Sequence, residues 1–467
     1  MVTLQNQIAV MTEVMVNKGI ECEQQIPSTE EKKDARTKNI QVIALDDYNL
    51  KLLRTIDDEN TYNFTSLIDM DMVRGVEEMN IDRILEQAYE KLEENPNGTD
   101  GIITFIDFPA IDIMAYLTDR YKYSGPTLES VLKCNHKLWS RRIQKQIISE
   151  NVPDFCSFDP YAKDPLSQIH LSFPFWIKPV NSYRSHLGFR INNEEDFQKA
   201  LPILRRDIPR LAEPFNKVIN LVDLPKEIEC IDAHTCMAES IISGSQCTLE
   251  GYAFKGEVEI YGVVDSIRGA NRSSFERYQY PSQLPLNIQE KMSEISQKVI
   301  KGIGFDNGAF NIEYFYNKEE DQIWLLEINP RISQSHCELF RHVDGSTHHK
   351  VMVDLALGKK PEMPQRQGNY KVAAKYFIRT YEDGVVSRAP SEADLEAIQR
   401  SVPGVSVMVQ VNEGQRLSDL EDQDSYSYEL GWVWIGARDQ QELKEKYDLV
   451  VKLLDFRLEI RLSLSAS

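Results

Sequence analysis

The sequence predicts a multidomain chain of mixed α/β and α+β class. A buried strand, an amphipathic helix and a second buried strand follow one another within residues 39–128. Two aromatic and β-branched runs, separated by six polar residues, form a hairpin at 309–331. Strands and helices alternate again within 366–455, as a small α+β unit. These blocks divide the chain into an arm (1–38), a small parallel α/β domain (39–128), a larger central domain (129–365), a C-terminal α+β domain (366–455) and a tail (456–467).

In the first domain, Ile40–Leu45 reads as a buried strand ending on Asp46-Asp47. Ile81, Ile84, Leu85, Ala88, Tyr89 and Leu92 keep helical spacing behind Asn80, a plausible N-cap. Asn95-Pro96-Asn97-Gly98 stops that helix, and Gly101–Asp107 is the second strand. No G-x-G-x-x-G follows the first strand, so this is not a dinucleotide site. Thr127 opens a helix running to about Glu150, with Lys133 and Lys137 one turn apart. Helical lysines are usually just solvated. Phe173–Val180 is an apolar strand carrying one lysine, Lys178, whose stem is buried and whose ammonium must meet a partner. The polar loop 181–188 follows and offers hydroxyls, among them Ser185. Residues 194–235 read as helical with loops at Pro209, Pro214 and Pro225. Beyond a strand at Thr235–Ala238, the pattern breaks at Gly244. Strands resume at Gln246–Phe254 and Glu257–Asp265, and Arg268 and Arg272 sit in the loop beyond. Those two are either a grip for a substrate carboxylate or solvated arginines. A helix at 286–303 leads into the hairpin.

The hairpin carries the strongest chemical signal. With its turn centred near residue 320, Glu313 faces Glu327 and Asn311 faces Asn329, all on one face and framed by Leu325 and Phe315. Opposed carboxylates about 5 Å apart at Cβ repel, and a divalent cation offsets that. Two carboxylates and a carboxamide oxygen suit Mg²⁺ or Mn²⁺. Arg331 follows as a cation beside the site. The competing reading is a solvated edge hairpin with incidental acids. Downstream, His336, His342, His348 and His349 have spacings that match no zinc pattern.

A net charge of −20 argues against non-specific nucleic-acid binding, but not against ATP, whose phosphates a few lysines and a metal can hold. No apolar run reaches about 18 residues, so no membrane span is expected. The N-terminus lacks a basic start and an apolar core, so no secretion signal is expected. Seven cysteines, an odd number without a C-x-x-C pair, fit a reducing cytoplasm.

Three features together resemble the ATP-grasp superfamily across about residues 129–365. They are Lys178 ahead of a polar loop, the Glu-x4-Gly run Glu239–Gly244, and Glu313 upstream of Glu327-Ile328-Asn329-Pro330-Arg331. The C-terminal unit is similar to the last domain of L-amino-acid ligases at Gly384-Val385-Val386 and Leu430-Gly431-Trp432-Val433. The resemblance implies an ATP-grasp fold with a hinge near 236–244. It implies that Lys137, Lys178 and Ser185 meet the ATP phosphates, that Glu239 takes the adenine amino group, and that the backbone of Ser240–Ile242 meets the ring. Gln246 falls where a Glu often binds the ribose. Glu313, Glu327 and Asn329 would bind two Mg²⁺ (or Mn²⁺) ions, and Arg331 would stabilise an acyl phosphate and tetrahedral intermediate. The implied activity is an ATP-dependent carbon–nitrogen ligase. It would join an acid to an amine, on amino acids or amino-acid-like acids, and release ADP and phosphate. Its partners would be small molecules, and dimers are common among such enzymes, so a homodimer is one expectation. Two alternatives stay open. One is a bicarbonate-activating, carboxylase-type or carbamoyl-phosphate-type enzyme, although no biotin-carrier Met-Lys-Met or glutaminase module is present. The other is a nucleotide-binding regulator without chemistry.

Overall fold

The structure, a computed structural model, describes residues 37–460 apart from 58–59, 75–78, 96, 183–186, 224–231, 270–273 and 421–426. The chain divides into two compact units, Met1–Thr37 and Lys38–Ser467. Apart from Thr37, the first lies outside the described residues. All three expected domains fall within the second.

That unit begins with a parallel sheet ordered β2-β1-β3, from β1 (Lys38–Ile43), β2 (Tyr62–Ile68) and β3 (Gly101–Ile103). The sequence reading missed β2, whose burial alternates until its last two residues. Helix Ile81–Glu93 starts at Asn80, which accepts from the Arg83 amide.

The single helix expected after Thr127 is two helices, Leu128–Asn135 and Lys137–Ile147. His136 adopts an extended backbone between them, and its Nδ1 accepts from the Trp139 amide, capping the second. The break means that Lys133 and Lys137 share no face. Lys133 pairs with Glu129 and donates to the Ile303 carbonyl. Conversely, Glu194–Ile219 is one helix running through Pro202 and also through Pro209 and Pro214, where loops were expected; the third expected loop, at Pro225, lies outside the described residues. The helix's apolar stripe, from Phe197 through Leu204 and Leu211 to Val218, is buried. That burial offsets about 3 kcal/mol per internal proline.

A four-stranded antiparallel sheet, ordered β4-β7-β5-β6, is built from β4 (Phe155–Phe158), β5 (Phe175–Pro179), β6 (Phe189–Ile191) and β7 (Cys236–Ser240). The largest sheet takes β8 (Ser245–Phe254), β9 (Glu257–Arg268), β10 (Phe275–Tyr280), β11 (Gly308–Asn317) and β12 (Gln322–Asn329). It continues into β13 (Val372–Thr380), β15 (Val405–Val409) and β16 (Tyr428–Ala437), in the order β12-β11-β8-β9-β10-β13-β16-β15. The boundary expected at 366 therefore lies within one continuous sheet. β10 had not been anticipated, and it joins the two parts. β14 (Val385–Arg388) pairs with β17 (Arg457–Glu459), which lies in the expected tail. No described helix is long and apolar enough to cross a membrane.

Candidate nucleotide and metal site

The hairpin pairs as its sequence predicts at its open end: Asn311 opposes Asn329 and Glu313 opposes Glu327. Beyond that point the register slips. Tyr314 opposes Leu325, so Leu326 is the extra residue of a β-bulge. Leu325 therefore shares the buried face of Tyr314 and does not frame the acids, as the regular register had implied.

Each acid has its own compensation. Lys137, first residue of its helix, places Nζ 2.6 Å from Glu327 Oε1. Glu313 Oε2 accepts from Gln246 Nε2 at 2.9 Å, and Gln246 Oε1 accepts from Arg268 Nε and Nη2 at 3.2 and 2.8 Å. The two pKa values are driven apart. Desolvation, then the Glu327 charge, pushes Glu313 up. For Glu327 desolvation acts upward too, but Lys137 and Lys178 outweigh it and hold the carboxyl below its usual value. Asn329 Nδ2 donates to Asn311 Oδ1, and Asn311 Nδ2 to the Arg331 carbonyl, both at 2.9 Å.

On β5 and β7, where the hinge is expected, lies a tighter ion cluster. Lys178 on β5 places Nζ 2.6 Å from Glu239 Oε1 on β7. Arg141 holds Oε2 through Nε and Nη2 at 3.1 and 3.0 Å. Desolvation pushes Glu239 upward, yet Lys178 and then Arg141 outweigh it and keep the carboxyl at about 2. At the end of β7, Ser240 N donates to the Asp154 carbonyl, and Ile242 is partly exposed in the connection beyond. Gly244 has φ +136°, and a Cβ there would sit 2.2 Å from the Tyr316 carbonyl oxygen. Only glycine allows the hinge to lie so close to β11.

Arg331 donates from Nε to Asp107 Oδ1 at 2.5 Å and from Nη1 to the Ile332 carbonyl at 3.1 Å. Asp107 lies past the C-terminal end of β3. Desolvation raises its pKa, but Arg331 foremost pulls it below the ordinary value.

Most predicted site residues are thus brought together: Lys137, Lys178, Glu239, Gln246, Arg268, Glu313, Glu327, Asn329 and Arg331. Gln246, expected at a ribose, has both ends of its carboxamide engaged. Arg268, expected in a loop, ends β9 and stacks 4.4 Å over the Phe275 ring. Ser185 and Arg272 lie outside the described residues. Arg141 and Asp107 were missed. Arg141 stands four residues after Lys137, on the same helical face. Asp107 stands beyond a parallel strand's carboxyl end, where α/β sheets place their sites.

Lys137, Arg141, Lys178, Met237, Leu326 and Glu327 line a cavity of about 10 Å³. A larger recess of about 620 Å³ is lined by Asp159, Tyr161, Pro209, Asp232, His234 and Thr235, and shares no lining residue with the first.

The donor set fits a hard divalent cation. Two opposed carboxylates, Glu313 and Glu327, stand beside the Asn329 carboxamide, two residues along the same strand from Glu327. Among the described residues no group of three or more His, Cys, Asp or Glu could hold a metal. The third donor here would be an asparagine.

Residues 171–338 match the family described as ATP-grasp domain. The chain carries an ATP-grasp domain. Curated proteins similar to part of this chain include the carbamoyl phosphate synthase large chain, C-terminal section, of Methanopyrus kandleri. It is 29% identical over 106 residues, covering 22% of this chain and 19% of that protein. The carbamoyl phosphate synthase large chain of Bifidobacterium adolescentis is 35% identical over 69 residues, 15% of this chain and 6% of that one. The matches thus span about a fifth or less of these relatives. Among solved structures, the L-amino acid ligase from Bacillus licheniformis superposes with a TM-score of 0.69 at 17% identity, covering 91% of this chain and 99% of that one. Phosphoribosylglycinamide synthetase from Anaerococcus prevotii gives 0.60 at 16% identity, covering 90% and 100%. The ATP-grasp fold, in its multidomain α/β setting, therefore extends over nine-tenths of the chain.

Proposed function

We propose that this ATP-grasp protein is an ADP-forming carboxylate–amine ligase acting on amino acids or amino-acid-like acids. The observation that carries the reading is the opposed Glu313–Glu327 pair, compensated by Lys137 on one side and bordered by Arg331 on the other. Glu313, Glu327 and Asn329 would hold one or two Mg²⁺ or Mn²⁺ ions. When bound, the ions supply charge neutralisation at the ATP phosphate oxygens.

The chain's own groups do the rest. Lys137 and Lys178 would pass from Glu327 and Glu239 to the phosphates. Release of Lys178 frees Glu239 Oε1 for an adenine amino group. A substrate carboxylate oxygen attacks the γ-phosphorus in line, the bond to the bridging oxygen breaks, and ADP leaves an acyl phosphate. The amine attacks its carbonyl, Arg331 offsets the developing oxyanion, and phosphate departs as the amide forms. Asp107 holds the Arg331 guanidinium in place meanwhile.

A second reading, activation of bicarbonate, is favoured by the carbamoyl phosphate synthase relatives. Phosphate release by the purified chain with ATP, Mg²⁺ and an amino-acid panel separates the two. The ligase requires an acid and an amine together. Release that needs bicarbonate and no amine supports the second reading. Nucleotide binding without turnover on any panel supports a regulator.

A further inference from the structure

Arg141 touches both sheets of the cleft. Nε and Nη2 hold Glu239 on β7. Nη1 donates to the Leu325 carbonyl at 3.0 Å and to Gln144 Oε1 at 2.6 Å, while Nη2 donates to the Leu326 carbonyl at 2.7 Å. Leu326 is the extra residue of the β12 bulge, and Leu325 precedes it. A bulge interrupts the ladder and leaves its extra residue unpaired. Here the guanidinium bonds to both carbonyls at that point, and its side chain is almost fully buried. The consequence reaches Glu327. Without the extra residue, continuing the Tyr314–Leu325 register would set Leu326 opposite Glu313. Glu327 would then turn to the other face, because a one-residue slip reverses every side chain.

We propose that Arg141 is a positioning residue. It fixes the β12 bulge, so that Glu327 opposes Glu313, and it ties that geometry to the hinge carboxylate Glu239. This rests on the reading of Glu313 and Glu327 as metal ligands. A purely structural ion pair would lower stability when broken and leave metal affinity alone. The planar fork is what matters: a lysine keeps the charge on Glu239 but cannot span Glu239 and two carbonyls together.

The test is Mn²⁺ binding to the full chain in the presence of ATP, measured from the electron paramagnetic resonance of free Mn²⁺, with no turnover required. Arg141→Lys is expected to fold, as a cooperative melting transition reports, and at saturating ATP to lose Mn²⁺ affinity by about tenfold or more, the scale of losses around metal ligands. Unchanged Mn²⁺ affinity in that folded variant overturns the proposal. If Arg141→Lys does not fold, Arg141→Gln leaves Glu239 paired with Lys178 and removes the guanidinium fork from the two bulge carbonyls. The same loss is expected there, and its absence again overturns the proposal. A wild-type chain that binds ATP but no Mn²⁺ overturns the metal reading itself, and this inference with it.

Discussion

Two clusters of buried titratable groups stand side by side in this molecule and behave in opposite ways. In the cleft, Glu327 and Glu239 are held below their ordinary values because Lys137, Lys178 and Arg141 outweigh desolvation. Next to it, Glu250 on β8 is fully buried, and desolvation pushes its carboxyl well above the usual range. Its Oε1 lies 2.7 Å from His336 Nδ1, and burial drives His336 down to about 3. His348, whose Nε2 is 3.0 Å from the Ser333 carbonyl, is pushed well below its ordinary value for the same reason. In that second cluster burial pushes both partners of the short carboxyl–imidazole contact toward their uncharged forms, the carboxyl upward and the imidazole downward. Where lysines outweigh desolvation, as at Glu327 and Glu239, the charged form is held; where desolvation outweighs the nearby Arg331 charge, as at Glu250, the uncharged form is favoured. The first arrangement suits a ligand site, and the second suits a core.

The comparison breaks most visibly at the metal pair. Glu327→Gln should cut ATP-dependent phosphate release by about 10²–10³-fold or more, the scale on which one preorganised charged group acts, while circular dichroism stays native. Near-normal turnover would sink the assignment. Lys178→Met removes one of the two cations on Glu239 and should cost about 3 kcal/mol in denaturant unfolding at pH 7.

A third carboxyl extends the contrast. Asp112 is fully buried, accepts from Asn135 Nδ2 at 3.0 Å, and has no cation; desolvation lifts it to about 7. The folded state then keeps a proton that the unfolded chain releases near its ordinary value. Its contribution is full below about pH 4, falls by about 1 kcal/mol per pH unit, and is lost above about pH 7. Asp112→Asn should remove that slope, so the variant gains on the wild type as pH rises from 4 to 7 in thermal or denaturant unfolding. A parallel pH profile for the two proteins would count against it. Smallest of all, Glu250→Gln should change stability by about 1 kcal/mol or less, since burial pushes that carboxyl toward its uncharged form and a carboxamide keeps an acceptor in its place.

The same contrast explains what the sequence could reveal. The Glu313–Glu327 pairing was legible because β-strand alternation has a fixed period and both runs carry it. The bulge was not, because Leu326 looks like any other strand residue; it is marked only by a distant arginine donating to its carbonyl. Likewise the helix break at His136 depends on one imidazole capping the next turn, and three prolines were absorbed by a long apolar stripe. Arg141 and Asp107 escaped notice because each acts through a partner nearly a hundred residues away or more. The alternation of strands and helices within 366–455 was legible, but its joining to the central sheet through β10 and the pairing of β14 with β17 are tertiary choices that local pattern does not encode.

Calorimetric titration of ATP, with and without Mg²⁺, into the wild type, Glu327→Gln and Glu250→Gln tests the central claim most directly. The account predicts Mg²⁺-dependent tightening in the wild type and Glu250→Gln, and its loss in Glu327→Gln. Retention of the Mg²⁺ dependence in Glu327→Gln, with its loss in Glu250→Gln, would contradict it.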